Sequence, residues 1–218
     1  TQVTGSNLSR SAQALNVIAM SQNTDRISIQ VGLSGYSFKI QTAETVKTSG
    51  WMSAERVFTT PEFQKRYDRV EISVFTPKIA LVPEQFQDQT ADADMLGDVA
   101  DLAEGDAVTS VPVPEFAAVL VYSNTIGETL SKVVSQTVLD KAGNKAVPLP
   151  EMYYMLGSVL ELPDYNKILA SYMDGTLYLV IAQGRSLLLC NAFQAPDFTT
   201  AEYFIFLAMK KLQLNPEV

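Results

Sequence analysis

Gly32-Leu33-Ser34-Gly35-Tyr36 is this chain's nearest approach to a nucleophile elbow. That motif needs glycine two residues to either side of the serine and a histidine to take the serine proton. Tyr36 stands where the second glycine belongs, and histidine is absent from all 218 residues. Ser34 therefore reads as part of a hairpin turn. The missing imidazole also removes Ser-His-Asp and Cys-His nucleophiles, histidine proton shuttles and histidine-ligated metals. The one cysteine, Cys190, can form neither an intrachain disulfide nor a thiolate cluster. Its apolar surroundings make it a buried, inert thiol. Asp92-Ala-Asp94-Met-Leu-Gly97 starts like a calcium loop, but position five is Leu96 and position twelve is Ala103, so the oxygen shell is not filled. Neither Gly-x-x-x-x-Gly-Lys-Ser/Thr nor Gly-x-Gly-x-x-Gly occurs. Tyr153 and Tyr154, flanked by Met152 and Met155, suit a ligand groove or, more simply, core packing. Lys65, Arg66 and Arg69 read as the solvated end of a helix, and Trp51 as core or contact surface.

These residues must be positioned by a mixed set of elements. Residues 1–24 are polar and irregular, with a short helix near Ala12–Met20. Ile27, Ile29 and Val31 alternate with polar residues, and so do Tyr36, Phe38 and Ile40 after the Gly32–Gly35 turn. Two strands and a hairpin follow from that period of two. A third strand is expected near Val46–Met52, and a helix within Ser53–Tyr67 that Pro61 limits. Val70–Phe75, Ile79–Val82 and Val108–Val113 read as extended, with a helix within Pro83–Leu102. The unbroken apolar run Phe116–Tyr122 suits a central strand covered on both faces, next to the first hairpin.

The spacing predicts three further helices. Thr125 and Glu128 fit a capping box before the face formed by Ile126, Leu130, Val133, Val134 and Val138, with Gly143 beyond its end. After a short strand at Lys145–Leu149, Pro150 suits the first turn of a helix carrying Met152, Met155, Leu156, Val159 and Leu160, closed by Pro163. Asn166–Met173, Leu177–Ala182 and Ser186–Phe193 form a three-stranded meander with turns at Asp174-Gly175 and Gln183-Gly184. Thr199 and Glu202 form a second capping box, with Phe198 stapled on Tyr203. The helix Thr200–Leu212 is apolar nearly all round, so it is expected to be sandwiched.

With 47% apolar and 18% charged residues, the chain is well provided for a core. No apolar run approaches the ~18 to 20 residues that span a bilayer, and the lone thiol suits the cytoplasm. The net charge of −8 makes nucleic acid a poor partner. That charge is uneven: between Lys78 and Lys132 lie ten acids and no base. The stretch is a solvated face or a docking patch for a basic partner.

A hairpin at Arg26–Gln41 and another at Asn166–Phe193, separated by alternating strands and helices, resemble the duplicated ribonuclease-H-like architecture of the actin-like ATPase superfamily. The actin-like proteins of type IV pilus assembly and type II secretion are the most similar branch, and the likeness is best over Phe116–Leu212. Thr76-Pro77-Lys78-Ile79-Ala80-Leu81-Val82-Pro83-Glu84 and Pro114-Glu115-Phe116-Ala117-Ala118-Val119-Leu120-Val121-Tyr122 resemble a bacterial family of uncharacterised proteins given that fold. The resemblance implies an α/β (mixed α+β) fold, a first lobe over 25–163, and over 164–218 the start of a short second lobe.

Active members of the superfamily carry Asp-x-Gly in the first hairpin of each half, where the carboxylates serve magnesium and the attacking water and the turn amides hold phosphates. Strand-for-strand, Gln30 and Gly32 take those places in the first half, and Ser171 and Met173 in the second. Asp174-Gly175 falls later, at the turn. A neutral amide cannot anchor magnesium as a carboxylate does, and phosphoryl transfer depends on that positioning. The superfamily's adenosine-contacting segment has no counterpart in this sequence. The resemblance thus implies a catalytically silent scaffold, without cofactor, metal or catalytic residues, that binds a protein or peptide, basic if it docks on the acidic stretch. The alternative is a divergent ATP-binding ATPase or kinase in which Asp174 or Asp25 compensates. A ribonuclease-type nuclease needs clustered carboxylates that the hairpin strands lack.

Overall fold

The computed structural model describes residues 24–214; the helix expected near Ala12–Met20 lies outside them. β1 (Arg26–Val31), β2 (Gly35–Gln41), β3 (Val46–Thr48) and β4 (Met52–Ser53) open the chain, and β5 (Arg69–Val74) follows. β1 pairs antiparallel with β2 and parallel with β5, so Ile29 lies between Phe38 and Ile72. Alternation gives this sheet two unlike faces. Ile27, Ile29, Tyr36, Phe38, Ile40 and Ile72 are buried together. Ser28, Gln30, Ser37, Lys39, Glu71 and Ser73 occupy the alternate positions.

The single third strand expected at Val46–Met52 is two pieces, β3 and β4, both paired with β2. Between them the Ser49 hydroxyl accepts from the Phe38 amide at 2.8 Å. The helix expected within Ser53–Tyr67 is two 3-10 turns, Ala54–Thr59 and Pro61–Gln64. Pro61 disfavours helical geometry at the residue before it, and Thr60 is extended with φ −76° and ψ 113°. Val57 and Phe63 still reach the core.

β6 (Ile79–Pro83), the six-residue helix α1 (Asp92–Gly97), β7 (Thr109–Val113) and β8 (Ala118–Tyr122) come next. β8 is central and wholly buried, but in a separate antiparallel sheet of order β6-β8-β7, not beside the first hairpin as expected. α1 is far shorter than the helix expected within Pro83–Leu102. Asp88 accepts from the Thr90 amide and hydroxyl at 2.9 and 2.7 Å, a local bonding pattern that competes with helix.

α2 (Glu128–Thr137) follows a 3-10 turn at Thr125–Gly127. The Thr125 capping box does not form: its hydroxyl accepts from the Ala107 amide at 3.0 Å and bonds Ser123. β9 (Pro148–Pro150) pairs parallel with β5 and completes the order β3-β2-β1-β5-β9. α3 (Glu151–Glu161) starts directly after Pro150.

The meander is β10 (Asn166–Met173), β11 (Thr176–Gln183) and β12 (Ser186–Gln194), antiparallel throughout. Asp174 and Gly175 both have positive φ, 50° and 73°, the geometry that a two-residue hairpin turn demands. The second turn is Gly184-Arg185, one residue later than expected, since Gln183 already pairs with Ser186. α4 (Phe198–Lys211) is capped by Asp197, whose carboxylate accepts from the Thr200 amide at 2.7 Å. Thr199 is therefore not the cap. Nor is α4 sandwiched: Phe204 stacks on Phe193, while Tyr203 and Phe206 are 59% and 67% exposed. The opposite face of the meander shares a core with α3 and β8, in which Met152, Leu156 and Val159 meet Tyr178, Val180 and Leu120.

Candidate functional site

Gln30 is the fifth residue of β1, between Ser37 of β2 and Ser73 of β5. Its Nε2 donates to Oε1 of Glu151 at 3.0 Å, and the Ser37 hydroxyl approaches its Oε1 at 3.4 Å. A carboxyl group thus does stand at the end of β1, supplied by the first residue of α3. Glu151 is only 9% exposed. Burial pushes its carboxyl above the ordinary carboxylate range, against the lowering effect of the neighbouring Ser73 and Gln30 side chains. Nothing in the sequence singles out Glu151, because an acid at a helix start is commonplace.

Gly32 forms the tight turn after β1, its amide donating to the Gly35 carbonyl at 3.0 Å. The next amide, Leu33, donates to Oδ2 of Asp174 at 3.2 Å. The two hairpin turns therefore touch. A Cβ at Gly32 would stand 3.0 Å from that carboxylate and from the Trp51 ring. Trp51, otherwise unassigned in the sequence, covers the turn.

Ser171 lies opposite Tyr178 and Met173 opposite Thr176. Met173 packs into the core shared with α3. Asp25 is at the far end of β1, where its amide donates to Asp68 and its carboxylate lies 3.9 Å from Lys141. It cannot stand in for a carboxylate at Gln30.

The remaining residues singled out by type scatter. Tyr153 and Tyr154 meet edge to face at 5.5 Å, and the Tyr154 hydroxyl donates to the Ile72 carbonyl at 3.3 Å. Arg69 leaves Lys65 and Arg66 to pair with Glu71 at 2.8 Å. Within the acidic stretch, Asp106 pairs with Lys78, and Asp92 is buried, accepting from Gln87. No cluster of three acids or thiols that could hold a metal occurs among the described residues, and no described helix is long and apolar enough to cross a membrane.

The family described as protein of unknown function (DUF3822) matches residues 15–218. The chain belongs to that family. A Bacteroides thetaiotaomicron protein with an actin-like ATPase fold and unknown function is similar to this DUF3822 chain at 14% identity, with a TM-score of 0.64 over 90% of this chain and 80% of that one. The DUF3822 chain accordingly has the actin-like ATPase fold. It is also similar to the PilM-PilN type IV pilus biogenesis complex at 12% identity, with a TM-score of 0.43 over 87% of this chain and 73% of that one. None of the curated proteins matches.

Proposed function

We propose that this DUF3822 chain is a catalytically silent actin-like fold that works as a protein- or peptide-binding scaffold. The observation that carries this is the Leu33–Asp174 hydrogen bond at 3.2 Å. The superfamily's phosphates pass between the two hairpin turns, and here one turn already donates to a carboxylate on the other. Gln30 and Met173 at the motif places support the same reading, since an amide is a weak magnesium ligand and a methionine crowds a phosphate loop. A partner is suggested by an apolar groove beside the turn, about 360 Å³ in volume, to which Leu33, Phe58 and Ile126 contribute exposed side chains. With its lone cysteine half-buried and no disulfide partner, the protein suits the cytoplasm.

Titration calorimetry with Mg·ATP tests the silent part, and no saturable heat is expected at micromolar ligand, which corresponds to about −8 kcal/mol. A saturable heat overturns it in favour of a divergent ATP-binding protein. That second reading draws on Glu151, whose carboxyl stands beside Gln30. A single carboxyl held toward its neutral form is far short of the oxygen shell magnesium needs.

A further inference from the structure

The polar face of the β1–β2–β5 sheet carries more positive than negative charge. Register places Lys39 of β2 opposite Ser28 of β1 and opposite Thr48 of β3, with Arg26 two residues before Ser28 on the same face. Directly opposed and diagonal neighbours on one face are within reach of long side chains. Arg26 and Arg69 both hold the Glu71 carboxylate, at 2.6 and 2.8 Å. Lys39 has no acid beside it and no hydrogen-bond partner among the described residues. α3 turns Glu151, Tyr154 and Ser158 toward this face, and the two walls enclose a cleft of about 370 Å³. That lies within the roughly 300–1,000 Å³ range of small-molecule sites.

Around the cleft the cations Arg26, Lys39 and Arg69 stand against the carboxyls Glu71 and Glu151. The excess is positive even with Glu151 ionised, and burial, which raises that carboxyl, widens it. An anion is therefore the favoured guest. The free donors select which anion. Nε and Nη2 of Arg26 are both turned on Glu71, at 2.9 and 2.6 Å, so the planar fork that would take a ligand carboxylate is occupied. What remains is the Nη1 end of Arg26, the Lys39 ammonium and the Thr48 and Ser49 hydroxyls. The Ser49 oxygen already accepts from the Phe38 amide at 2.8 Å, which leaves its proton to donate. Separate donors on three chain segments suit a tetrahedral oxyanion better than a planar one.

We propose that the cleft binds a small phosphate monoester, its phosphate held by Lys39, Arg26, Thr48 and Ser49 and its polar body against Ser158 and Glu151 on the α3 wall. Lysine serves phosphate as a point charge, and no metal is needed where cations already exceed carboxyls. Neither Leu33 nor Asp174 lines this cleft. The site is thus independent of the closed hairpin turns, and it stands or falls separately from the silent-fold reading.

The test is a titration of the full chain without magnesium, followed by amide NMR shifts. The probes are glucose 6-phosphate, ribose 5-phosphate and inorganic phosphate, with glucose and glutarate as controls. At least one ester should saturate at about 1 mM ligand or below, bind more tightly than inorganic phosphate, and move amides of β1, β2 and β3. Glucose should not saturate. Lys39→Met should weaken the ester roughly tenfold and Thr48→Val by a smaller factor. Both variants should keep the native thermal midpoint, because neither side chain holds another part of the protein. Raised sodium chloride should weaken the binding. No saturation with either ester, glutarate or inorganic phosphate binding as tightly as the esters, shifts confined to other elements, or native affinity in Lys39→Met would each overturn the proposal.

Discussion

Gln30 and Glu151 stand 121 positions apart in sequence and meet through one hydrogen bond of 3.0 Å between amide and carboxyl. That bond ties the central strand of the N-terminal sheet to the first residue of α3. It also fixes a buried carboxyl at the candidate site.

The first prediction concerns pH. Burial raises the Glu151 carboxyl above its ordinary value, outweighing the lowering by Ser73 and Gln30. The folded protein therefore keeps this proton at pH values where the unfolded chain has released it. By linkage this group's contribution to stability falls as pH rises from the unfolded carboxylate range through the folded value. Asp68, Asp106 and Asp140, with lowered carboxyls, give the opposite slope in native and variant alike. Glu151→Gln keeps an acceptor for Gln30 and removes the titration. Its urea midpoint should gain on the native one as pH is raised from about 4 to about 8. A difference that stays constant over that range would show that folding does not raise the Glu151 carboxyl.

A second prediction concerns the hairpin turn. A Cβ at Gly35 would stand 2.0 Å from the Met52 carbonyl oxygen, which is backbone and cannot swing aside. Gly35→Ala must therefore displace β4 from β2 and carry Trp51 with it. A loss of about 1–3 kcal/mol is expected, with a shifted emission from the only tryptophan. Urea unfolding followed by fluorescence reads both, and a native spectrum and midpoint would contradict the contact.

The cap of α4 can be tested by contrast. Asp197 accepts from the Thr200 amide, and no capping bond is made by Thr199. Asp197→Ala should lower the urea midpoint, Asp197→Asn should largely preserve it, and Thr199→Ala should leave it in place. Equal effects of the two alanine variants would place the cap elsewhere.

Cys190 should be unreactive. Burial pushes its thiol up to about 12, so very little thiolate exists near neutral pH. Iodoacetamide at mildly alkaline pH should leave the folded protein unmodified for hours and label it rapidly in denaturant. Prompt labelling of the folded chain would place the thiol at the surface.

Where the sequence was legible, a short local code was present. The strands Arg26–Val31 and Asn166–Met173 follow from period-two alternation and glycine turns, and their register placed Gln30 at the end of β1. Capping was misread because neighbouring groups compete: the Thr125 hydroxyl accepts from the Ala107 amide, and Asp197, two residues before Thr199, takes the cap position of α4. The run Phe116–Tyr122 announces burial, but apolarity carries no record of which sheet does the burying. The contacts that define the candidate site are the least local. Leu33 and Asp174 are 141 positions apart, and neither residue type alone advertises the pairing.

One consequence of the packing around α3 bears on how this protein can be handled. Met152, Leu156 and Val159 share one core with Tyr178, Val180 and Leu120. Severing the chain after Glu161 would strip α3 of the meander and leave both cut surfaces oily. Either fragment expressed alone should collect in inclusion bodies, and mixing the two during refolding should recover more soluble material than either gives singly. The link between α3 and β10 is a convenient place to tag the protein and a poor place to divide it.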